Sequence, residues 1–203
     1  MENYDHFSDF QLSVISEIGN IGAGNAATAL SEILADRIMM SVPELRLIDV
    51  SSMTTILGGP ENEVVGILVN MTDDVEGMLL FLLNKQFICK LIKVLLDKEI
   101  TSFDEISEMD MSAITEIGNI LAGSYVNAMS AMTNLNIWLS PPQVAIDMVG
   151  AILSFPAAQF GAMGDKLLFI EEDFLSGEET IKSHLLIMPD LKSLNKILTS
   201  LGV

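Results

Sequence analysis

The chain has 203 residues, half of them hydrophobic, and 28 acidic against 10 basic side chains give it a formal net charge of −18. The hydrophobic fraction is enough for a packed core and excludes a disordered chain, while the negative charge disfavours both nucleic-acid binding and membrane binding. A single cysteine, Cys89, excludes an internal disulfide, and without metal-ligand spacings in the sequence we expect no metal and no bound cofactor. The acidic N-terminal residues are unlike a signal peptide and predict a cytoplasmic protein.

The first half of the chain begins with a long predicted helix. Ser8 and Gln11 have the spacing of a capping box, which predicts a helix over residues 9–34. Beyond it, stretches rich in Val, Leu and Ile predict three strands, bounded by turn signals at residues 58–60 and 73–74. These strands cover residues 45–50, 64–71 and 75–83. Asn84 then predicts the start of a helix that ends near Leu96, and the acidic residues 97–110 are typical of a connector.

The second half opens in the same way, with Ser107 and Asp110 predicting a helix over residues 108–132. Residues 117–146 carry no charge and are long enough to cross a membrane, but four asparagines and a Pro-Pro pair favour the core of a soluble protein. Four further elements follow along the chain. They are a short helix over residues 143–153, strands over 166–174 and 180–188, and a helix over 191–201 behind Asp190.

The two halves are copies of one another. At an offset of 99 residues, positions 8–43 align with positions 107–142, and 15 of the 36 aligned residues are identical. Short strands joined by tight turns favour antiparallel pairing. We therefore predict one α/β domain of the layered α+β type over residues 1–203, with a mostly antiparallel sheet covered by helices. Its pseudo-twofold repeats would span about 8–100 and 107–203.

One face of each long helix carries a narrow polar stripe. At 100° per residue, four side chains of each helix lie within about 60° of one another. They are Ser13, Glu17, Asn20 and Gly24 in the first helix and Ser112, Glu116, Asn119 and Gly123 in the second. Asparagine and glycine are both unfavourable inside a helix, yet both copies keep the asparagine and the glycine before it, Gly19 or Gly118. This favours a site presented to a partner over a merely solvated face.

The spacing Ser-x3-Glu-x2-Asn-x22-Pro occurs twice, ending at Pro43 and at Pro142, and strongly resembles the signature of the CheC-type chemotaxis phosphatases. The resemblance covers essentially the whole chain, and both copies match at every signature position. It implies hydrolysis of the aspartyl phosphate on the response regulator CheY. The catalytic residues would be Glu17, Asn20, Glu116 and Asn119. The essential Mg²⁺ would belong to the regulator, so none is expected on this chain.

The resemblance also implies a role for each signature side chain. The amide of Asn20 or Asn119 would orient the attacking water, and the glutamate one turn away would pair with a lysine of the regulator. Ser13 and Ser112 are expected to make supporting contacts. Pro43 and Pro142 are expected to end the segment after the helix rather than to act chemically.

A second implied partner is CheD, a receptor deamidase that stimulates members of this family. The candidate surface is the nearly all-apolar stretch of residues 143–155, whose single charge is Asp147. Its counterpart after Pro43 is predicted to be a strand, so the halves would differ at this surface. The alternative interpretation of the stretch is a buried core helix.

A rival hypothesis is a non-enzymatic adaptor of the chemotaxis or flagellar switch system. The switch protein FliM has a domain of related architecture that lacks the Glu-x-x-Asn pairs and works by docking, and a CheD-sequestering protein would also need no catalysis. This chain keeps both pairs, which favours the enzyme. We expect it to be a monomer.

Overall fold

The computed structural model describes residues 7–34, 38–41, 43–160, 166–176 and 179–203. Within these ranges, six α-helices accompany eight strands. The helices are α1 (Asp9–Leu34), α2 (Val50–Ile56), α3 (Lys85–Leu96), α4 (Glu108–Thr133), α5 (Val149–Phe160) and α6 (Leu191–Ser200). The strands are β1 (Ile38–Met40), β2 (Glu44–Asp49), β3 (Glu63–Asp73), β4 (Gly77–Leu83), β5 (Ile137–Leu139), β6 (Gln143–Met148), β7 (Lys166–Ser176) and β8 (Glu179–Pro189). The predicted α+β architecture is confirmed.

Side-chain caps fix where the two long helices begin. The Ser8 backbone N–H donates to Gln11 Oε1 at 3.0 Å, and the Gln11 N–H donates to Ser8 Oγ at 3.2 Å. Ser107 and Asp110 exchange the same two bonds at the start of α4, at 2.7 and 3.4 Å. Each box satisfies backbone donors that the first turn of a helix leaves unpaired. The predicted helix starts are therefore confirmed, and with them the phase of each polar stripe.

All eight strands belong to one antiparallel sheet with the order β1-β7-β8-β4-β3-β5, in which β2 also pairs with β7 and β6 with β3. The two halves exchange their outer strands, because β1 and β2 pair with a strand of the second half and β5 and β6 with a strand of the first. The central pair, β4 and β8, joins the halves. Each half thus completes its strand pairing with the other.

The sheet separates two apolar cores. Alternate residues of β4 point to opposite faces, as a strand requires: Leu79 and Phe81 join the larger core, Leu80 and Leu82 the smaller. The larger core is packed by α1, α3, α4 and α6, and the smaller one by α2 and α5. Within the described residues, no helix is both long enough and apolar enough to cross a membrane.

The helix predicted over residues 143–153 is wrong. Residues 143–148 form β6, in which half-buried and exposed positions alternate along β3, and α5 begins only at Val149. The first half has the same order, β2 followed by α2, so the halves do not differ here in kind. An uninterrupted apolar run has no clear hydrophobic period, so its sequence does not show where the strand ends and the helix begins.

Gly19 and Gly118 allow the helices to pack closely on the sheet. The sequence-based interpretation that they belong to a site presented to a partner is therefore wrong for these two residues. Both are buried, and a Cβ on Gly19 would lie 3.1 Å from Ile170 Cδ1, while one on Gly118 would lie 2.5 Å from Ile67 Cγ2. Ile170 in β7 and Ile67 in β3 occupy equivalent places in the sheet. The two glycines therefore let α1 and α4 lie close to the strands beneath them.

Candidate active site

The two polar stripes lie at the surface of adjacent helices. Glu17, Glu116 and Asn119 are exposed and Asn20 is half-buried, whereas Ile18 and Ile117 on the other side of their helices are 1% exposed. Helices α1 and α4 pack directly on each other, and Gly22 of α1 rests against Tyr125 of α4. The fold thus presents two Glu-x-x-Asn pairs outward from neighbouring helices.

In the first pair, the asparagine is held by its own glutamate. Asn20 Nδ2 donates to Glu17 Oε2 at 3.4 Å, a long bond, and Asn20 Oδ1 is buried with no hydrogen-bond partner among the described residues. A buried acceptor left unpaired costs about 1–3 kcal/mol. Such a cost is typical of side chains whose position serves a function and not stability.

The second pair has the same residues in a different state. Asn119 is exposed, and within the described ranges no hydrogen bond joins it to Glu116. Its carboxamide is open to solvent, so both its donor and its acceptor can meet water or a partner. The two pairs therefore have the same residues but differ in the exposure and hydrogen bonding of the asparagine.

The serines of the two stripes donate hydrogen bonds to carbonyls of the preceding turn of their own helices. Ser13 Oγ donates to the Phe10 carbonyl at 2.7 Å, and Ser112 Oγ donates to the Glu108 carbonyl at 3.0 Å. Both side chains are exposed, so the oxygen lone pairs stay accessible at the surface. Their contact with a partner remains a prediction.

Each signature proline lies in a bulge between two edge strands. From Met40 to Glu44 the chain advances four residues, while its partner β7 advances only three, from Phe174 to Glu171. The segment from β5 to β6 shows the same excess against β3, because Leu139 pairs with Met71 and Gln143 with Leu68. Proline has no N–H to donate and is tolerated at such edge bulges. Pro43 and Pro142 therefore lie after the short strand that follows each long helix, and that they have no chemical role stays a prediction.

Residues 143–155 line an apolar groove on the sheet face opposite α1 and α4. The groove has a volume of about 350 Å³, and its walls include Gly66, Leu80 and Pro156. Phe155 is 52% exposed beside it, and the Asp147 side chain is exposed on its β6 wall. The segment is thus a strand followed by a helix that is buried on one side only, and not a fully buried core helix.

Two exposed apolar residues lie beside the signature but are not part of its sequence pattern. Phe10 is 65% exposed and Met109 is 69% exposed, one turn before Ser13 and Ser112 respectively. They occupy equivalent positions in the two repeats. Helical spacing alone would have placed them beside the stripes, but only the structure shows that nothing in the described chain covers them.

The protein is a duplicated α+β domain with two surface Glu-x-x-Asn pairs on adjacent helices. A family model described as CheC-like matches residues 10–46 and 109–146, one match in each repeat. The CheY-P phosphatase CheC of Bacillus subtilis (strain 168) is 32% identical over 208 aligned residues, which cover 100% of this chain and 99% of that protein. The chain belongs to the CheC-like family.

Solved structures agree in fold. The crystal structure of Thermotoga maritima FliY matches with a TM-score of 0.76 and 25% identity, covering 97% of this chain and 98% of that one. The middle domain of FliM from H. pylori matches with a TM-score of 0.70 at 13% identity, covering 96% and 99%. At that identity the second likeness concerns the fold alone.

Proposed function

We propose that this chain is a phosphatase that hydrolyses the aspartyl phosphate of a phosphorylated CheY response regulator. The observation that carries the proposal is the outward-facing Glu-x-x-Asn pair found at the same place on two adjacent helices, Glu17–Asn20 on α1 and Glu116–Asn119 on α4. Full-length similarity to a protein named CheY-P phosphatase supports it.

The chemistry needs little from the enzyme beyond positioning. An aspartyl phosphate is a reactive acyl phosphate, so holding a water molecule in line with the phosphorus removes much of the remaining barrier. A carboxamide on a short stem has one donor and one acceptor group with which to hold that water. Asn119, exposed and unpaired with Glu116, has this capacity without rearrangement. The Mg²⁺ that neutralises phosphoryl charge would be held by the regulator.

The glutamates would set the register of docking. Glu17 and Glu116 are exposed and lie one turn before their asparagines on the same face. Paired with a lysine beside the regulator's phosphorylation site, either carboxylate would fix the helix along its axis and so place the amide. The remaining acidic surface of the chain would favour encounter with basic groups around such a pocket.

The decisive variant removes both amides. Asn20→Ala combined with Asn119→Ala should abolish accelerated phosphate release from phosphorylated CheY, because the glutamates only accept and the stripe serines already donate their O–H groups to helix carbonyls. Far-UV circular dichroism and the melting temperature should stay close to those of the parent chain, since Asn119 is exposed and the buried carbonyl oxygen of Asn20 makes no hydrogen bond that the substitution would remove.

The matched control replaces an exposed asparagine of α1 that lies about 140° from Asn20 around the helix, outside the stripe, Asn25→Ala. That variant should dephosphorylate CheY as fast as the parent. Persistent phosphate release from the Asn20/Asn119 double variant would rule out the proposed mechanism.

A docking adaptor is the second candidate, favoured by the fold shared with the FliM middle domain. The two functions differ in turnover. A substoichiometric amount of an enzyme accelerates dephosphorylation of the whole regulator pool, whereas an adaptor binds at most one equivalent and releases no additional phosphate.

We further propose that the groove beside α5 binds CheD. Exposed Phe155 and Met148 beside an apolar cavity are typical of a protein-docking surface, and Asp147 adds one charge for orientation. Phe155→Ala with Asp147→Ala should weaken CheD binding, measured by calorimetry, without changing basal phosphatase activity. Ile56, the equivalent of Phe155 in the first repeat, offers the matched control Ile56→Ala. Undiminished CheD binding in the Phe155/Asp147 variant would reject this surface.

A further inference from the structure

Gly24 and Gly123 have no packing role within the described chain. A Cβ built on either residue meets no atom within 4 Å. The other glycines of these helices behave differently, since a Cβ on Gly19, Gly22 or Gly118 would press against a neighbouring side chain. Gly24 is exposed and Gly123 half-buried, and neither adopts a positive φ that would require glycine.

Glycine at such a position lowers the stability of the helix, and no contact within the described chain compensates for it. In the interior of a helix it is less favourable than alanine, because it loses more backbone freedom on folding. The cost occurs twice, four residues after Asn20 in α1 and four residues after Asn119 in α4. A residue that is unfavourable for the free chain and unexplained by its own packing is expected where another molecule approaches.

Both glycines lie on the stripes that carry the Glu-x-x-Asn pairs. Taking Asn20 as the origin of a helical wheel, Gly24 lies about 40° away and Phe10 about 80° away on the same side as Glu17. Phe10 and Gly24 are 14 residues apart, which spans about 21 Å of helix. Each stripe thus begins with an exposed apolar side chain, Phe10 or Met109, and ends with a glycine, Gly24 or Gly123. The glutamate and the asparagine lie between them.

We propose that Gly24 and Gly123 are positioning residues, at which the backbone of the regulator's receiver domain packs directly on the helix. The inference rests on the proposed function and specifies how the regulator seats. Asparagine has a short side chain, so its amide reaches a partner's recessed aspartyl phosphate only if the helix itself comes close. A side chain one turn further along the same face would hold the partner away. A displacement of about 1 Å can cost about 100-fold in rate.

The experiment adds side chains of increasing size at these two positions. Gly24→Ala with Gly123→Ala should raise the melting temperature, because alanine favours the helix. The same variant should lower kcat/KM for phosphorylated CheY by about tenfold or more. Gly24→Leu with Gly123→Leu should lower it further and weaken binding of beryllofluoride-activated CheY. The control, Asn25→Leu with Ala131→Leu, places the same leucine side chain at exposed positions off the stripes and should leave both quantities unchanged.

The outcomes separate this inference from the proposed function. Gly→Ala and Gly→Leu variants that dephosphorylate CheY at the parent rate would overturn the role of the glycines while leaving the asparagines untouched. An Asn20/Asn119 double variant that keeps full activity would instead overturn the catalytic assignment. In that event the dissociation constant of activated CheY decides the glycine question: weakened binding in the Gly→Leu variant supports the contact, and unchanged binding removes it.

Discussion

Asn20 and Asn119 have the same neighbours in sequence and different surroundings in space. Asn20 donates to Glu17, and its buried carbonyl oxygen has no partner in the described part of the chain, whereas Asn119 is exposed. To reach a regulator, the Asn20 side chain must first leave Glu17 and turn outward. A preorganised group needs no such step, so under the proposed function the second site would be the better prepared of the two.

This difference predicts unequal single variants. Asn119→Ala should reduce steady-state phosphate release from phosphorylated CheY several-fold more than Asn20→Ala does, because the remaining Asn20 site carries the cost of rearrangement. Protein concentration and regulator concentration should be matched across the two assays. Equal losses from the two single variants would contradict the structural asymmetry, and a greater loss from Asn20→Ala would reverse it.

Glu172 is a buried acid with an unusual proton affinity. It is 1% exposed in β7, Ser183 Oγ donates to its Oε2 at 3.3 Å, and its Oε1 has no partner within the described residues. Burial raises the pKa of Glu172 to about 8, although the Ser183 hydrogen bond acts to lower it. In the unfolded chain the pKa returns to its ordinary value of 4.5. Between these two values the folded protein holds a proton that the unfolded chain has lost, so stability falls as pH rises through this range.

Glu172→Gln should remove this dependence. At pH 8 the variant should exceed the parent in free energy of unfolding by a few kcal/mol, and at pH 4.5 the two should be nearly equal, because the parent carboxyl is neutral in the fold there and glutamine matches its shape. Urea unfolding at the two pH values measures the difference. The exposed Glu61→Gln serves as control, with no comparable gain expected. An equal gain at both pH values would show that the carboxyl is not the titrating group.

Helices α1 and α4 meet through a glycine. A Cβ on Gly22 would lie 2.5 Å from Tyr125 Cδ1 and 3.0 Å from Tyr125 Cα. The Cα belongs to the backbone of α4, so the clash cannot be relieved by a side-chain rotation alone, and the two helices would have to separate. Gly22 thus sets the distance between the two helices that carry the sites.

Gly22→Ala should therefore destabilise the protein, by about 1–3 kcal/mol, even though alanine is the better helix former. Gly24→Ala, two residues further on and with open space around it, should instead stabilise. Thermal unfolding of the two variants side by side tests the contrast between a packed and an unpacked glycine in one helix. Stabilisation by both substitutions would contradict the tight contact at Tyr125.

The elements that sequence predicted well are those with local signals. Capping residues gave the starts of α1 and α4, and Asn84 and Asp190 accept from the Phe87 and Ser193 backbone N–H groups at the starts of α3 and α6, as expected. The elements it missed lack such signals. Strands β1 and β5 have only three residues each, and β6 runs into α5 within one apolar stretch. The roles of the glycines depend on tertiary neighbours and cannot be read from helix propensity.

The exchanged strands determine which parts of the chain can fold alone. The first repeat supplies β1 and β2 to β7, and the second supplies β5 and β6 to β3, with equivalent registers such as Leu45 with Ile170 and Val144 with Ile67. The repeat boundary visible in the sequence is therefore not a boundary in the sheet. Duplication indicated two similar units, whereas only the pairing shows that the outer strands of each unit pair with the other unit.

Separated repeats test this exchange. Chains of residues 1–100 and 107–203 should each fail to form a stable monomer, because β3 and β7 would lose their outer partners and leave apolar edges exposed. Mixed in equal amounts, they should assemble one to one and recover the sheet signal in circular dichroism, with size-exclusion chromatography giving the mass of the intact monomer. Phosphate release from CheY should return only in the mixture. A single repeat that unfolds cooperatively as a monomer would show that its core does not need the strands exchanged with the other half.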